Sequence, residues 1–410
     1  MLIIGMVGFA AASALGGAAV GFGMLLAGRA IQGAFGAMLA PAALSTLTVT
    51  FTNPAERGKA FGIYGAIAGA GGAVGLLLGG VLTEYLSWRW CLYVNVVFSL
   101  VAVTAAVRLL RNQPRDPSVR LDPPGTVLVV TGLIGVVYGL SEAETKGWGA
   151  PLTIALLVAG VVLLIAFVLV ESRVAHPLLP LRIVLDRFRG GAYLAIGLSA
   201  TGMFGIFLFL TYYVQLLLGY SPVKTGLAFL PLIAALITSS TTSSGLLMPR
   251  IGPRILVPAG MVIAAGGLAL LASQLGLSTS YGASILPALL VVGIGLGVVF
   301  GCAISTATYG AAPADAGVAS AMVNTCQQVG GSIGTALLNT IAASALASYL
   351  VSHHGPLATA GAAVHSYVVA FWVSAAIFAG AAVVCALVLR SGTLTRTVAE
   401  PSEAAAAVPA

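Results

Sequence analysis

A single charged side chain, Arg29, stands in the first 55 residues of this 410-residue chain, in a run dominated by Leu, Ile, Val, Ala, Gly, Met and Phe. About 20 such residues in a helix cross the hydrocarbon core of a bilayer. Backbone in lipid must satisfy its own hydrogen bonds, which leaves helices and closed barrels as the spanning structures. The run therefore predicts membrane helices rather than a soluble core. An arginine keeps its charge at that depth, at a cost of at least ~2.5 kcal/mol at the bilayer centre on insertion scales. An ionisable group so placed usually faces the bundle interior or a water-filled cavity, and it marks a functional site by default.

The pattern recurs. Segments of spanning length fall at roughly 1–20, 22–50, 59–84, 90–110, 124–141, 151–171, 190–217, 223–247, 255–275, 284–307, 317–349 and 366–389. Charged residues make up 7% of the chain, against about 25% in soluble domains, so the fold class is an all-α polytopic membrane protein with twelve transmembrane helices. With Met1 placed in the cytoplasm, the inner connections collect fourteen of the 18 Lys and Arg; the outer ones hold Arg89, Lys146 and Lys224, and Arg29 stays within a span. This is the positive-inside asymmetry, and it places both termini in the cytoplasm. It also explains the net charge of +7 without nucleic acid. Arg outnumbers Lys fifteen to three amid abundant Ala and Gly, which hints at a GC-rich bacterial gene and hence a bacterial cytoplasmic membrane. The opening run has no basic n-region of the kind that precedes a cleaved signal.

Two Pro- and Arg-bearing connections, 111–123 and 172–189, divide the chain. They give an amino-terminal bundle of four spans (1–110), a helix pair with its flanking loops (111–189) and a carboxy-terminal bundle of six spans (190–390), followed by a tail (391–410) of disordered composition. Gly65 and Gly69, then Gly71, Gly75 and Gly79, recur every four residues and line helix faces, and Gly293, Gly297 and Gly301 repeat the device. Such faces serve close helix packing, and sliding is the functional alternative. Tyr64, Asn95, Tyr212, Tyr213, Gln215, Asn324, Gln327 and Gln328 are polar or amphipathic groups in apolar helices. They line a substrate cavity or hydrogen-bond between helices, and the sequence leaves both open. The four cysteines are scattered without metal or redox spacing. No HExxH, GxSxG or phosphate loop suggests an enzyme, and no metal or cofactor is expected.

In order along the chain, several motifs then resemble one family. Arg29-x-x-Gln32-Gly33-x-x-Gly36-Ala37 resembles the fourth-helix motif of major facilitator drug:proton antiporters. Gly71-x-x-x-Gly75-Leu76-x-x-Gly79-Gly80 resembles their fifth-helix antiporter motif, with Leu76 where a proline is usual. Ser87-Trp88-Arg89-Trp90 with Asn95-Val96, Leu121-Asp122-x-Pro124-Gly125 and His176-Pro177-Leu178-Leu179-Pro180-Leu181 are similar to elements of the fourteen-helix branch. So are Gln215-x-x-x-Gly219-Tyr220-Ser221-Pro222 and Gly317-Val318-Ala319-Ser320 with Gly330-Gly331. Gly245-x-Leu247-x-Pro249-Arg250-x-Gly252-x-Arg254 resembles the family's cytoplasmic gate loop, with Pro249 in place of an aspartate.

Aligned by these motifs, Met1 falls at the start of the family's third helix, so the twelve spans correspond to helices 3–14 of fourteen. The resemblance implies a monomeric secondary transporter that exports hydrophobic or cationic small molecules and draws on the proton gradient rather than a cofactor. Arg29 would take part in coupling, with Gln32 orienting it. None of the eleven acidic residues falls mid-membrane, and His176, His353, His354 and His365 fall in loops or at span ends. A truncated or mis-started chain that does not transport as it stands, and an exporter of one specific metabolite, are the alternatives.

Overall fold

The structure is a computed structural model that describes residues 1–51, 56, 71, 74–110, 122–174, 177–308 and 316–389. Tyr64, the glycines at 65 and 69, His176, most of the connection at 111–123 and the tail from 390 lie outside the described residues.

The amino-terminal helices are α1 (Leu2–Gly17), α2 (Phe22–Thr50), α3 (Val74–Tyr85) and α4 (Trp90–Leu109). A hairpin follows, formed by α5 (Pro123–Lys146) and α6 (Pro151–Glu171). A short α7 (Leu181–Leu185) leads into α8 (Arg187–Tyr212), α9 (Pro222–Thr242), a one-turn α10 (Met248–Ile251), α11 (Pro253–Gln274), α12 (Leu286–Thr308), α13 (Ala316–Ser352) and α14 (Ala358–Val388). No strand occurs among the described residues. Among the described residues ten helices are long and apolar enough to cross a membrane, and α1 and α3 are shorter apolar helices. Together they account for the twelve segments expected from hydropathy. The bounds differ at several ends: the last span begins at Ala358 rather than 366, and the seventh begins at Arg187, where Asp186 Oδ1 accepts from the backbone N–H of Phe188 and Arg189 at 3.0 Å.

Local chemistry explains several starts. Pro123, Pro151, Pro222 and Pro253 open their helices at positions whose N–H would be orphaned anyway. Asp122 caps α5 through Gly125 N–H, and Ser221 caps α9 through Lys224 N–H. Lys146 closes α5 in an ion pair with Glu142, which raises the Lys146 pKa above its ordinary value. Three π turns, Tyr213–Leu217, Ser243–Leu247 and Tyr281–Ile285, interrupt or begin spans and went unread in the hydropathy. One extra residue in a turn leaves no trace in average apolarity.

The core sits in the carboxy-terminal helices. Over an 18-residue stretch of the span at α12, 72% of residues are buried, against 11% over such a stretch of α4. α12 packs on α8, α9 and α11, and α14 on α8, α11 and α13. The ladder Gly293, Gly297 and Gly301 explains the α12–α9 contact, because a Cβ at each would run into α9 backbone at Leu232, Leu236 and Ser240. Close packing is therefore its role. The hairpin closes in the same way, with the Cα of Gly160 only 3.0 Å from where a Gly135 Cβ would stand, and α5 leans on α13.

Gly252 joins α10 to α11 with φ +83° and ψ 160°, a region essentially reserved for glycine. Replacing Gly252 with Ala is expected to cost about 1–3 kcal/mol, read as a lower midpoint of thermal unfolding in detergent. An unchanged midpoint would mean that this turn relaxes freely.

Candidate functional site

The polar centre of the amino-terminal helices is built on the α1–α2 crossing. Gly28, Gln32 and Gly36 recur every four residues and so share one stripe of α2. A Cβ on Gly28 would lie 2.9 Å from Gly16 N and 3.0 Å from Gly16 Cα, so the two backbones nearly touch there. Gly36 faces the ring of Phe9 further along. Between these small positions Gln32 reaches α1, and its Nε2 donates to Ser13 Oγ at 2.6 Å. Ser13 is 0% exposed and Gln32 4%. The Gln32 carbonyl is then left to accept from Arg29 Nη1, one turn back.

The result is a chain Arg29–Gln32–Ser13 in which each link is oriented by the next, while the arginine side chain itself stays exposed. Arg29 lies about 10 Å along α2 from Phe22, at ~1.5 Å per residue. Ser13 was not among the residues singled out from the sequence. A lone serine in an apolar helix gives no periodic signal, and only the pairing of Gly28 with Gly16 shows that it meets Gln32.

The other expected residues spread over several faces. Asn95 is half-buried, and its Nδ2 donates to Cys91 O of its own helix at 3.2 Å; Asn324 does the same to Ser320 O at 3.1 Å. Tyr213 is fully buried and donates through its hydroxyl to Gly276 O at 2.6 Å, so it ties the π turn after α8 to the end of α11. Its neighbour Tyr212 is exposed, and Gln215 and Gln327 are half-buried. Gln328 does border a cavity, of about 370 Å³, together with Gly331, Ser332, Thr335 and Ala336 of α13, Phe204 of α8, and Val137 and Ser141 of α5. That volume lies in the range of small-molecule sites. Its walls bring the hairpin and the carboxy-terminal helices together, away from the Arg29 chain.

A second contact joins two helices far apart in sequence. Glu84 Oε2, at the end of α3, accepts from Val223 N in the first turn of α9 at 2.8 Å. That position favours a carboxylate because the first-turn N–H groups of a helix carry partial positive charge. Nearby, a Cβ on Gly80 would stand 2.8 Å from Pro222 O, and one on Gly226 3.1 Å from Leu76 O. Of the antiporter-motif glycines, Gly80 thus forms the close approach. Gly71, Gly75 and Gly79 have open space beside them among the described residues.

Residues 1–335 match the family profile of the Major Facilitator Superfamily. The chain belongs to the major facilitator superfamily. It is 51% identical over 370 residues to the puromycin resistance protein pur8 of Streptomyces alboniger, an alignment covering 90% of this chain and 73% of that protein. It is 38% identical over 357 residues to the cephamycin export protein CmcT of Amycolatopsis lactamdurans, covering 86% and 73%. Among solved structures, the fold is similar to the POT family transporter PepTSo, with TM-score 0.63 and 15% identity over 94% of this chain and 82% of that one. It is also similar to an inward-facing bacterial homolog of the human lysosomal transporter Spinster, with TM-score 0.57 and 14% identity over 95% and 82%.

As a member of the superfamily the chain is a multi-pass membrane protein. Its gate-like loop has a defined shape even without the aspartate. Gly245 lies exposed in the π turn, and Arg250 Nη1 donates to Leu246 O of its own turn at 3.4 Å. Gly252 makes the bend, and Arg254 Nε donates to Ala386 O in the last turn of α14 at 3.3 Å. A cation at a helix carboxy-terminus is favourably placed against the exposed carbonyls. Arg254 therefore secures α11 to α14, whereas Arg250 folds back on its own turn.

Proposed function

We propose that the chain exports small hydrophobic or cationic antibiotics in exchange for protons, by alternating access between helix bundles 1–110 and 190–390 with the 111–189 pair beside them. The observation that carries this reading is the 51% identity over 90% of the chain with a puromycin resistance protein, supported by a relative named for cephamycin export. The asymmetry of Lys and Arg supports a cytoplasmic membrane of a bacterium with both termini inside. The Glu84–Val223 contact then closes the outer end, and the exposed Arg29, steadied by Gln32 and Ser13, faces the water-filled route between the bundles. The uncharged Asn95, Tyr212, Gln215, Asn324, Gln327 and Gln328 suit a broad cavity for apolar cations. The protein works as a monomer, with the proton gradient as its only energy source and no bound cofactor. A narrower reading, export of one metabolite, is favoured by relatives that are each named for a single compound.

Expression in a susceptible host stripped of its own exporters is expected to raise the inhibitory concentration of puromycin and lower its accumulation, with a protonophore restoring accumulation. Unchanged accumulation overturns the reading for this substrate. A panel of unrelated cationic dyes separates the broad exporter from the dedicated one.

A further inference from the structure

At the end of the hairpin opposite Lys146, two carboxyl groups are buried against each other. Asp122, the cap of α5, is 7% exposed, and Glu171, the last residue of α6, is 3% exposed. Each spends one oxygen on a backbone donor: Asp122 Oδ1 accepts from Gly125 N at 3.1 Å, and Glu171 Oε2 accepts from Leu179 N at 2.9 Å. The remaining oxygens, Asp122 Oδ2 and Glu171 Oε1, have no hydrogen-bond donor among the described residues. Both crowd the open side of Gly125, where even a Cβ would collide with them, so the two carboxyl groups face each other across one small gap. The groups facing Glu171 are Asp122 from α5 and the backbone amides of Leu178 and Leu179 from the connector; neither carboxylate is ion-paired with a described cation.

Two ionised carboxylates in that position would each be a buried charge with no described cation paired to it, beside a like charge. Two neutral acids would be one acceptor short of using both protons. One proton satisfies both oxygens, because a protonated carboxyl donates and a carboxylate accepts. We propose that Asp122 and Glu171 form a proton-binding site that holds one proton in an O–H···O link and thereby clasps the 177–186 connector onto the hairpin. Loss of that proton to water leaves two carboxylates that repel, and Glu171 swings off Leu179 N–H. The connector runs through α7 into α8, so the state of the clasp bears on how firmly the hairpin is tied to the carboxy-terminal helices. The site is separate from Arg29 and does not depend on the antiport reading.

The test uses the full chain in lipid nanodiscs. Infrared difference spectra at neutral pH are expected to show a protonated-carboxyl C=O band that is absent in both Glu171→Gln and Asp122→Asn. Loss in only one variant, or no such band in the parent protein, overturns a shared proton. Amide exchange of residues 177–186, corrected for intrinsic base catalysis, is expected to rise about tenfold as the pair deprotonates, the scale set by losing one hydrogen bond to a charged group. Glu171→Gln keeps the acceptor for Leu179 and supplies a permanent donor to Asp122, so its exchange is expected to stay slow and flat with pH. A Glu171→Gln profile that follows the parent protein overturns the clasp.

Discussion

Replacing Arg29 with Ala is expected to reduce gradient-driven transport by about 10–100-fold, within the 5–150-fold span of ordinary coupling free energies, while leaving the protein folded. The side chain is exposed and makes one described side-chain bond, to Gln32, so its loss opens no packed cavity. What it removes is a fixed positive charge at membrane depth, held in one direction by a glutamine that is itself held by a buried serine. Lys at this position keeps the charge but lacks the planar guanidinium and hydrates more strongly, so partial activity is expected. Gln32→Leu is expected to fall between the two, because it leaves the charge in place and lets it wander. The measurement is initial rate of puromycin uptake into inverted vesicles at a fixed pH gradient, alongside puromycin binding without a gradient. If binding and transport fall together, Arg29 belongs to the substrate site rather than to coupling.

Gly28→Val is expected to unseat the α1–α2 crossing altogether. Even the first carbon of a side chain would meet Gly16 N at 2.9 Å and Gly16 Cα at 3.0 Å, and both are backbone atoms that cannot rotate away. Ala at this position costs about 1–3 kcal/mol as an overpacked contact, and Val costs more. The separation also stretches the 2.6 Å Gln32–Ser13 bond, so the polar chain fails together with the packing. Gly33 is the control: nothing described lies within 4 Å of its Cβ position. Gly33→Ala is therefore expected to be neutral or to gain up to about 0.5–1 kcal/mol of helix stability. Thermal unfolding of both variants in detergent makes the comparison. Equal midpoints would show that the crossing is not as close as the backbone distances indicate.

Helix number and placement were legible because apolar length is a one-dimensional signal, and the bilayer imposes the same length on every span. The Arg29–Gln32 pair was legible for a similar reason, since residues three apart on a helix share a face. Partners distant in sequence were not. Ser13 is 19 residues from Gln32, and Glu171 is 49 from Asp122; neither carries a pattern that names its mate. Glycine spacing read equally well at two places and meant different things: Gly293, Gly297 and Gly301 all meet α9 backbone, but of the α3 motif it is Gly80 that does so. Tyr213 shows the same limit, because its residue type suits a cavity wall or a bond between helices, and the structure sets its hydroxyl on Gly276 O. Periodicity locates a face, and the neighbouring helix decides its use.

The most direct test of proton-driven export is made with the purified chain in proteoliposomes, with puromycin outside and a pH gradient imposed without any other ion gradient. Uptake against the puromycin gradient is expected when the lumen is acid. It should collapse with a protonophore and be largely lost in Arg29→Ala. Puromycin movement that ignores the pH gradient, or persists unchanged in that variant, would contradict the account.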